Sequence, residues 1–453
     1  MESTFIASTP ESQSPPTPYS VPLGQTERIF IIDAIRGVAL LGILMMNIPF
    51  FGMPHQVGEN LLIRNEFSGP NLWTWWAVNG FFEGTMRGLF SLLFGAGTLL
   101  LLDRLQKNNA GLLPADVYYR RLLWLLLFGI VNAFVLLWPG DILYSYALCG
   151  LALFPFRKMP AKGLLIISFV MLLIGTYKDN SGLYEQKQTK RKGEAAQLLA
   201  KKKMKLSEDQ QGDLKAWQGL QERVKPENQR KEADKLAKKM QGNYPQVYKA
   251  LEPINIKFES VAMHQSFVWD VLMLLFLGMA LYRLGFLTNQ RPAWQYALLV
   301  VVGYGVALPL NYWKMNFAVE TKFDFIRRLN EWPFEFYEIR RLFHTLGHLG
   351  LLMLAYRSGL FNGLFRVMAR VGQMAFSNYL MQSIICTLIF YGYGFGLYNK
   401  LQRYELYYVV GAVWLFQIIF SNLWLHYFRF GPFEWLWRSL TYWKKQPLRR
   451  VAA

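Results

Sequence analysis

The residues best placed to do chemistry are the ionisable and amide side chains that interrupt long apolar runs. Asp33-Ala34-Ile35-Arg36-Gly37 opens one such run, and Asn47 stands eleven residues after Arg36. Asp33 and Arg36 are three apart and share a helix face. Arg36 and Asn47 are three turns apart on one face. The arginine is able to grip a phosphate, and the amide to donate to an oxyanion. The plainer reading is an ion pair with an interhelical hydrogen bond from Asn47.

A second group is Pro139-Gly140-Asp141-Ile142-Leu143-Tyr144, a tight turn that aims the Asp141 carboxylate at an outer mouth or uses it to cap the next helix. A third is Arg340, Arg341, His344 and His348, of which Arg340, His344 and His348 form a stripe of period four. An imidazole beside arginine tends to stay neutral, which suits a general base. The alternative role for both histidines is interhelical hydrogen bonding. Zinc is disfavoured, because no zincin pattern and no third ligand accompany the pair. The fourth group is Asn378 and Gln382, again four apart, which either glue helices together or line a polar cavity. An ionisable group inside a membrane span costs at least ~2.5–3.5 kcal/mol on insertion scales and usually faces the protein interior. Arg36, Asn47, His344, His348, Asn378 and Gln382 are therefore expected around one shared cavity, with Arg36 toward its cytoplasmic end.

The elements that must carry them are membrane helices. The chain has 453 residues, 53% hydrophobic, 16% aromatic and only 17% charged, far from the soluble average. Uncharged runs of 22, 19, 22, 29 and 23 residues follow Arg36, Arg121, Arg291, Arg370 and Glu405, and about 20 apolar residues cross a bilayer. With shorter runs whose ends snorkel, the expected fold is an all-α polytopic transmembrane bundle of about ten spans, near 29–51, 85–103, 119–138, 142–157, 161–178, 265–286, 292–313, 340–358, 368–391 and 404–427. Basic residues gather in alternate loops, at Arg104, Lys107, Arg120 and Arg121, at Arg157, Lys158 and Lys162, at Arg283 and Arg291, and at Arg357, Arg366 and Arg370. The positive-inside rule then puts both termini in the cytoplasm. The net charge of +19 marks one membrane side and does not imply nucleic acid. The two cysteines sit in apolar runs and build no disulfide framework.

Five segments follow: a disordered cytoplasmic tail (1–26), an N-terminal membrane half (27–178), a charged helical insert (179–263), a C-terminal membrane half (264–443) and a basic cytoplasmic tail (444–453). The insert holds 18 Lys/Arg and 12 Asp/Glu. Ser207 and Gln210 spell a capping box, and Leu214, Trp217 and Leu220 recur at helical spacing. By parity the insert is extracytoplasmic. It reads as a solvated helical hairpin, dispensable for folding.

Ser377-Asn378-Tyr379-Leu380-Met381-Gln382-Ser383, Phe390-Tyr391-Gly392-Tyr393-Gly394 and Phe428-Arg429-Phe430-Gly431-Pro432-Phe433-Glu434-Trp435-Leu436-Trp437-Arg438 resemble the bacterial YeiB-like membrane protein family, catalogued as domain of unknown function 418. The stretches 33–47, 89–97 and 140–151 agree with it as well. The first span is also similar to that of heparan-alpha-glucosaminide N-acetyltransferase and other transmembrane acyltransferases, in the Asp-x-x-Arg-Gly motif and the Asn eleven residues on. This resemblance implies transfer of an acyl group from a cytoplasmic carrier to an acceptor outside. Where those relatives carry histidines, this chain has Gly58, with His55 nearby, and Asn132.

The expected function is a multi-pass protein of the bacterial inner membrane that moves an acyl group from a cytoplasmic carrier, acyl-CoA as co-substrate, to a glycan or lipid-linked acceptor. It binds no permanent cofactor and no metal. His344, His348, Asn47 and Asp141 are the catalytic candidates. Asp33, Arg36, Arg340, Arg341, Asn378 and Gln382 are the substrate-binding candidates. The alternative is a transporter or flippase for an anionic metabolite or lipid, coupled to protons through the histidines.

Overall fold

A computed structural model describes residues 29–108 and 111–450; the tail assigned to 1–26 lies outside the described residues. Among those residues the chain is all-helical. The helices are α1 Phe30–Gly52, α2 His55–Glu59, α3 Gly69–Phe81, α4 Thr85–Asn108, α5 Leu113–Phe134, α6 Leu143–Leu151, α7 Ala161–Lys201, α8 Glu208–Val224, α9 Pro226–Met240, α10 Tyr244–Lys257, α11 Val268–Arg283, α12 Ala293–Glu320, α13 Phe325–Glu331, α14 Tyr337–Arg357, α15 Asn362–Gln373, α16 Ala375–Phe390, α17 Leu406–Tyr427 and α18 Pro432–Tyr442. Six stretches are long and apolar enough to cross a membrane: α1, α3 with α4, α5, α7, α12 and α17; α16 is a shorter apolar helix. On α7 the side chains of Leu165, Ile166, Phe169, Val170 and Leu173 are exposed, and on α12 those of Leu298, Val301 and Val302. Apolar surface of that kind suits lipid, not water.

Small residues set the closest approaches. A Cβ on Gly95 of α4 would lie 2.1 Å from the Leu275 carbonyl oxygen of α11, and one on Gly278 of α11 would lie 2.0 Å from that of Leu92. Each glycine lets the other helix's backbone in. Gly37 does the same for α1 against α15, where a Cβ would meet the Met368 carbonyl at 2.1 Å. Gly97 is different. Its only near neighbour is Arg36 Nη2 at 3.9 Å, so it opens space where Gly95 closes it.

Two sets of loops gather separately. Arg283 donates to the carbonyl of Arg157, and Arg357 to that of Arg291. At the other end lies the insert. The Ser207–Gln210 capping box forms as expected, and a second one joins Asn243 to Gln246. Trp217 packs on Gly193 of α7, where any Cβ would clash.

The insert is not a solvated hairpin. Ala233, Met240, Val247 and Leu251 are buried in the same hydrophobic core as the membrane helices. Arg230 Nε donates to the Ile63 carbonyl (3.1 Å), Gly392 N to that of Met240 (2.8 Å), Gln241 Nε2 to that of Tyr398 (3.0 Å) and Tyr244 Oη to that of Val135 (2.8 Å). The abundance of lysine hid four apolar positions spaced along two helices. The boundary drawn at residue 178 also falls inside α7, which runs unbroken to Lys201. Deleting residues 185–250 is therefore expected to abolish detergent-stable protein. Size-exclusion chromatography of the deletion variant checks this.

Candidate functional site

One face of α4 runs past every part of the site. Glu83, just before its first turn, faces an outer chamber. Arg87 lies in a buried septum. Phe90, Phe94, Gly97, Leu101 and Arg104 line an inner slot. These positions recur every three or four residues, so they form one stripe. Phe90 to Arg104 is fourteen residues, which makes the slot roughly 20 Å long at 1.5 Å per residue.

The slot encloses about 220 Å³. Four arginines line it (Arg36, Arg104, Arg121 and Arg438) against two carboxylates, Asp33 and Glu434. Arg36 pairs with Asp33 at 2.8 Å, as its spacing implied, and reaches the level of Gly97, midway along the slot. Arg121 stacks on Trp437 at 3.7 Å, and Trp437 Nε1 donates to the Arg121 carbonyl at 2.8 Å. Glu434 accepts from the backbone of Phe376 (2.8 Å) and Ser377 (3.0 Å), so α18 clamps the first turn of α16 beside the slot.

At the far end are Ile142, Leu143, Tyr146 and Tyr379. Asp141 sits directly behind them. It is fully buried and so is not at an outer mouth. Its carboxylate accepts from Asn132 Nδ2 (2.7 Å) and Tyr144 N (2.8 Å), and Tyr379 Oη lies 3.4 Å away. Ile142 N donates to Tyr379 Oη at 3.1 Å, and the tyrosine proton has the Asp141 carboxylate and, at 3.5 Å, the Gly140 carbonyl as acceptors. Asp141 therefore both caps α6 and stands one hydroxyl from the slot.

Beyond the slot the interior is ionic. Tyr146 Oη contacts Ser91 Oγ at 2.6 Å and donates to the Arg87 carbonyl at 3.2 Å. Arg87 pairs with Asp270 at 2.7 Å; Asp270 also pairs with Arg341, which pairs with Glu338 at 2.9 Å. All of Arg341, Asp270 and Glu338 are buried. Arg87 Nη1 and Arg341 Nε and Nη1 have no hydrogen-bond partner among the described residues. From Ser91 to Glu83 is eight residues, so the septum is about 12 Å thick.

The outer chamber is larger, about 1520 Å³. Met45, Met46, Pro49 and Phe50 form an apolar floor, and the α8–α9 corner of the insert (221–232) forms the roof. Glu83 bridges Lys314 (2.7 Å) and Arg340 (3.0 Å) at its base. His55 and Glu59, four apart on α2, also line it. Burial, with Lys257 nearby, holds the His55 imidazole below its ordinary value. Burial and then the charge of Glu83 push the Glu59 carboxyl up.

The sequence candidates do not meet in one cavity. Asp33 and Arg36 line the slot, Asp141 stands behind its end, Arg341 belongs to the septum, and Arg340 lines a third cavity of about 580 Å³ that shares Lys314 with the outer chamber. Asn47 is half-buried and lines none of the three cavities. Asn378 bonds Ser421 Oγ (2.9 Å) and the Val371 carbonyl (3.1 Å), and Gln382 bonds Gln417 (3.1 Å). Both amides join α16 to its neighbours and face no cavity. His348 Nε2 meets the Phe81 carbonyl at 3.0 Å while Nδ1 meets Tyr304 Oη at 3.2 Å. Asn311 Nδ2 donates to the carbonyls of Asn79 (3.1 Å) and Gly80 (2.8 Å). The last carbonyls of a helix have no partner within it. Here α12 and α14 supply those partners to α3. His344 is fully buried beside His348, with ring centroids 4.6 Å apart. Loss of His348 is thus expected to destabilise. His348→Ala should cost about 1–3 kcal/mol, the desolvation of an unpaired carbonyl, read as a lower melting temperature in detergent.

Sequence reading missed Arg87, Tyr146, Asp270 and Tyr379 as site residues. Asp270 was the available signal: a lone acid in the run 268–282 requires a buried cation.

The family described as "Protein of unknown function (DUF418)" matches residues 281–444. The uncharacterized protein YxaH of Bacillus subtilis is 30% identical over 94% of this chain and 96% of its own. The uncharacterized protein YeiB of Escherichia coli is 31% identical over 92% of this chain and 96% of its own. A 39.9 kDa protein of Bacillus acidopullulyticus is 25% identical over 94% and 97%. No solved structure matches. With its membrane-length helices and near full-length identity to YeiB and YxaH, the chain belongs to the DUF418 family of membrane proteins.

Proposed function

We propose that this protein is a multi-pass inner-membrane acyltransferase, with acyl-CoA in the slot and the acceptor arriving through the outer chamber. The observation that carries the reading is the slot itself. It is narrow, about the length of one extended chain, rimmed by arginine at one end and closed by Asp141 and Tyr379 at the other. Arginine suits the phosphates of the carrier, and the aromatic walls suit its arm. Ten crossings would add α11, α14, α16 and the whole segment from Leu143 to Lys158 to the six long stretches, since α6 alone is nine residues. The loops bearing Arg157, Arg283, Arg291 and Arg357 then lie on one side with the slot mouth, and the positive-inside rule makes that side cytoplasmic. Both termini fall there, and the insert falls outside.

In the reaction the acceptor hydroxyl or amine attacks the thioester carbonyl carbon. Its proton passes to Asp141 through the Tyr379 hydroxyl. The C–S bond breaks and CoA leaves as a thiolate, which takes that proton. The unpartnered guanidinium N–H groups of the septum offer hydrogen bonds to a polar acceptor entering from outside. Protein in nanodiscs, given labelled acetyl-CoA and envelope glycans and lipids, should transfer label to an acceptor.

One feature favours a second reading, transport of an anionic metabolite. Two chambers separated by paired ions are also an alternating-access arrangement. Absence of label transfer together with uptake of an anion into vesicles decides for the transporter.

A further inference from the structure

The end of the slot is built to refuse hydrocarbon. Resting on the donor reading above, we infer that the acyl group it accepts is short, of about two to four carbons. Three observations bear on this. The first is volume. An apolar cavity of about 150 Å³ is filled by one benzene, six carbons, and the slot offers about 220 Å³ along its whole length. On that scale the slot takes about nine non-hydrogen atoms, so it holds only the thioester end of the carrier arm together with the acyl group. The second is the wall beyond Asp141 and Tyr379. Phe90 and Tyr146 face each other there, with ring centroids 6.0 Å apart, and the Tyr146 hydroxyl is fixed by Ser91 at 2.6 Å. The third is what lies behind that wall. A chain growing past it enters the Arg87–Asp270–Arg341–Glu338 cluster, where the Arg87–Asp270 distance is 2.7 Å. Hydrocarbon inserted there separates buried charges and satisfies none of the guanidinium N–H groups left open. A hydroxyl or amine satisfies them. The septum is thus permeable to a polar acceptor and closed to a methylene chain, and chain-length selection comes from ionic neighbours as well as from volume.

The test is displacement of labelled acetyl-CoA from the full-length protein in nanodiscs by acetyl-, butyryl-, hexanoyl- and octanoyl-CoA. Binding is the readout, so the unidentified acceptor is not needed. Acetyl- and butyryl-CoA should compete about equally. Octanoyl-CoA should be weaker by ~100-fold or more, since a single poorly fitting methylene is worth about tenfold or more. Phe90→Ala should raise the octanoyl-to-acetyl affinity ratio at least about tenfold, and Leu93→Ala, on the same wall, gives an independent enlargement. Octanoyl-CoA binding as tightly as acetyl-CoA to the wild type overturns the chain-length inference and leaves the donor reading in place. Binding of no acyl-CoA at any length overturns the donor reading, and this inference with it.

Discussion

Asp141→Asn is expected to lower acyl transfer by about 10²–10⁴-fold, the usual worth of a positioned general base, while acetyl-CoA binding stays within a few-fold of wild type. The substitution is isosteric. An amide oxygen at this position still accepts from Tyr144 N, and a flipped Asn132 still meets the new amide. What is lost is the carboxylate that receives the Tyr379 proton. Tyr379→Phe should fall by a similar factor, because it removes the same relay from its other end. The measurement is single-turnover label transfer beside equilibrium binding. Loss of binding in parallel with transfer assigns Asp141 to structure and removes the proposed chemistry.

Asp270→Ala carries the largest expected loss of stability. It leaves Arg87 and Arg341 in a buried cluster in which Glu338 is the remaining carboxylate paired with Arg341. Breaking a buried ion pair by deleting one partner costs about 3–5 kcal/mol. Asp270→Asn keeps the shape and one acceptor oxygen, and should lose less. Thermal melting in detergent distinguishes the two. If Asp270→Ala melts with the wild type, the septum is hydrated and its ions are not held by one another.

The all-helical, membrane-type character was legible because it rests on runs of uncharged residues, which composition alone reveals; among the described residues six stretches, against the ten spans expected, are long and apolar enough to cross. The Asp33–Arg36 pair and the Ser207 cap were legible for a similar reason, since both are local spacings on one helix. The site was not, because it depends on which helices become neighbours. His344 and His348 occupy a stripe that suits a catalytic base. The His348 ring is instead spent on the carbonyl end of α3, a short helix whose need for partners no local pattern announces. Asn378 and Gln382 share a face, and that face meets α17 and not a cavity. Gly95 and Gly97 look alike in sequence. One meets a backbone carbonyl and the other empty space beside an arginine. The insert was misjudged because its charge outweighs its few apolar positions in any average, although those few are the ones buried.

Whether the slot holds the donor is decided at Gly97. A side chain there meets no backbone and points at Arg36, whose nearest atom is 3.9 Å from the Cβ position. Gly97→Leu should therefore fold normally and block the slot halfway. The measurement is equilibrium binding of labelled acetyl-CoA to wild type and Gly97→Leu in nanodiscs, with the melting temperature of each. The account predicts binding by the wild type and its loss, by about 100-fold or more, in a variant that melts as the wild type does. Equal binding by both proteins contradicts it.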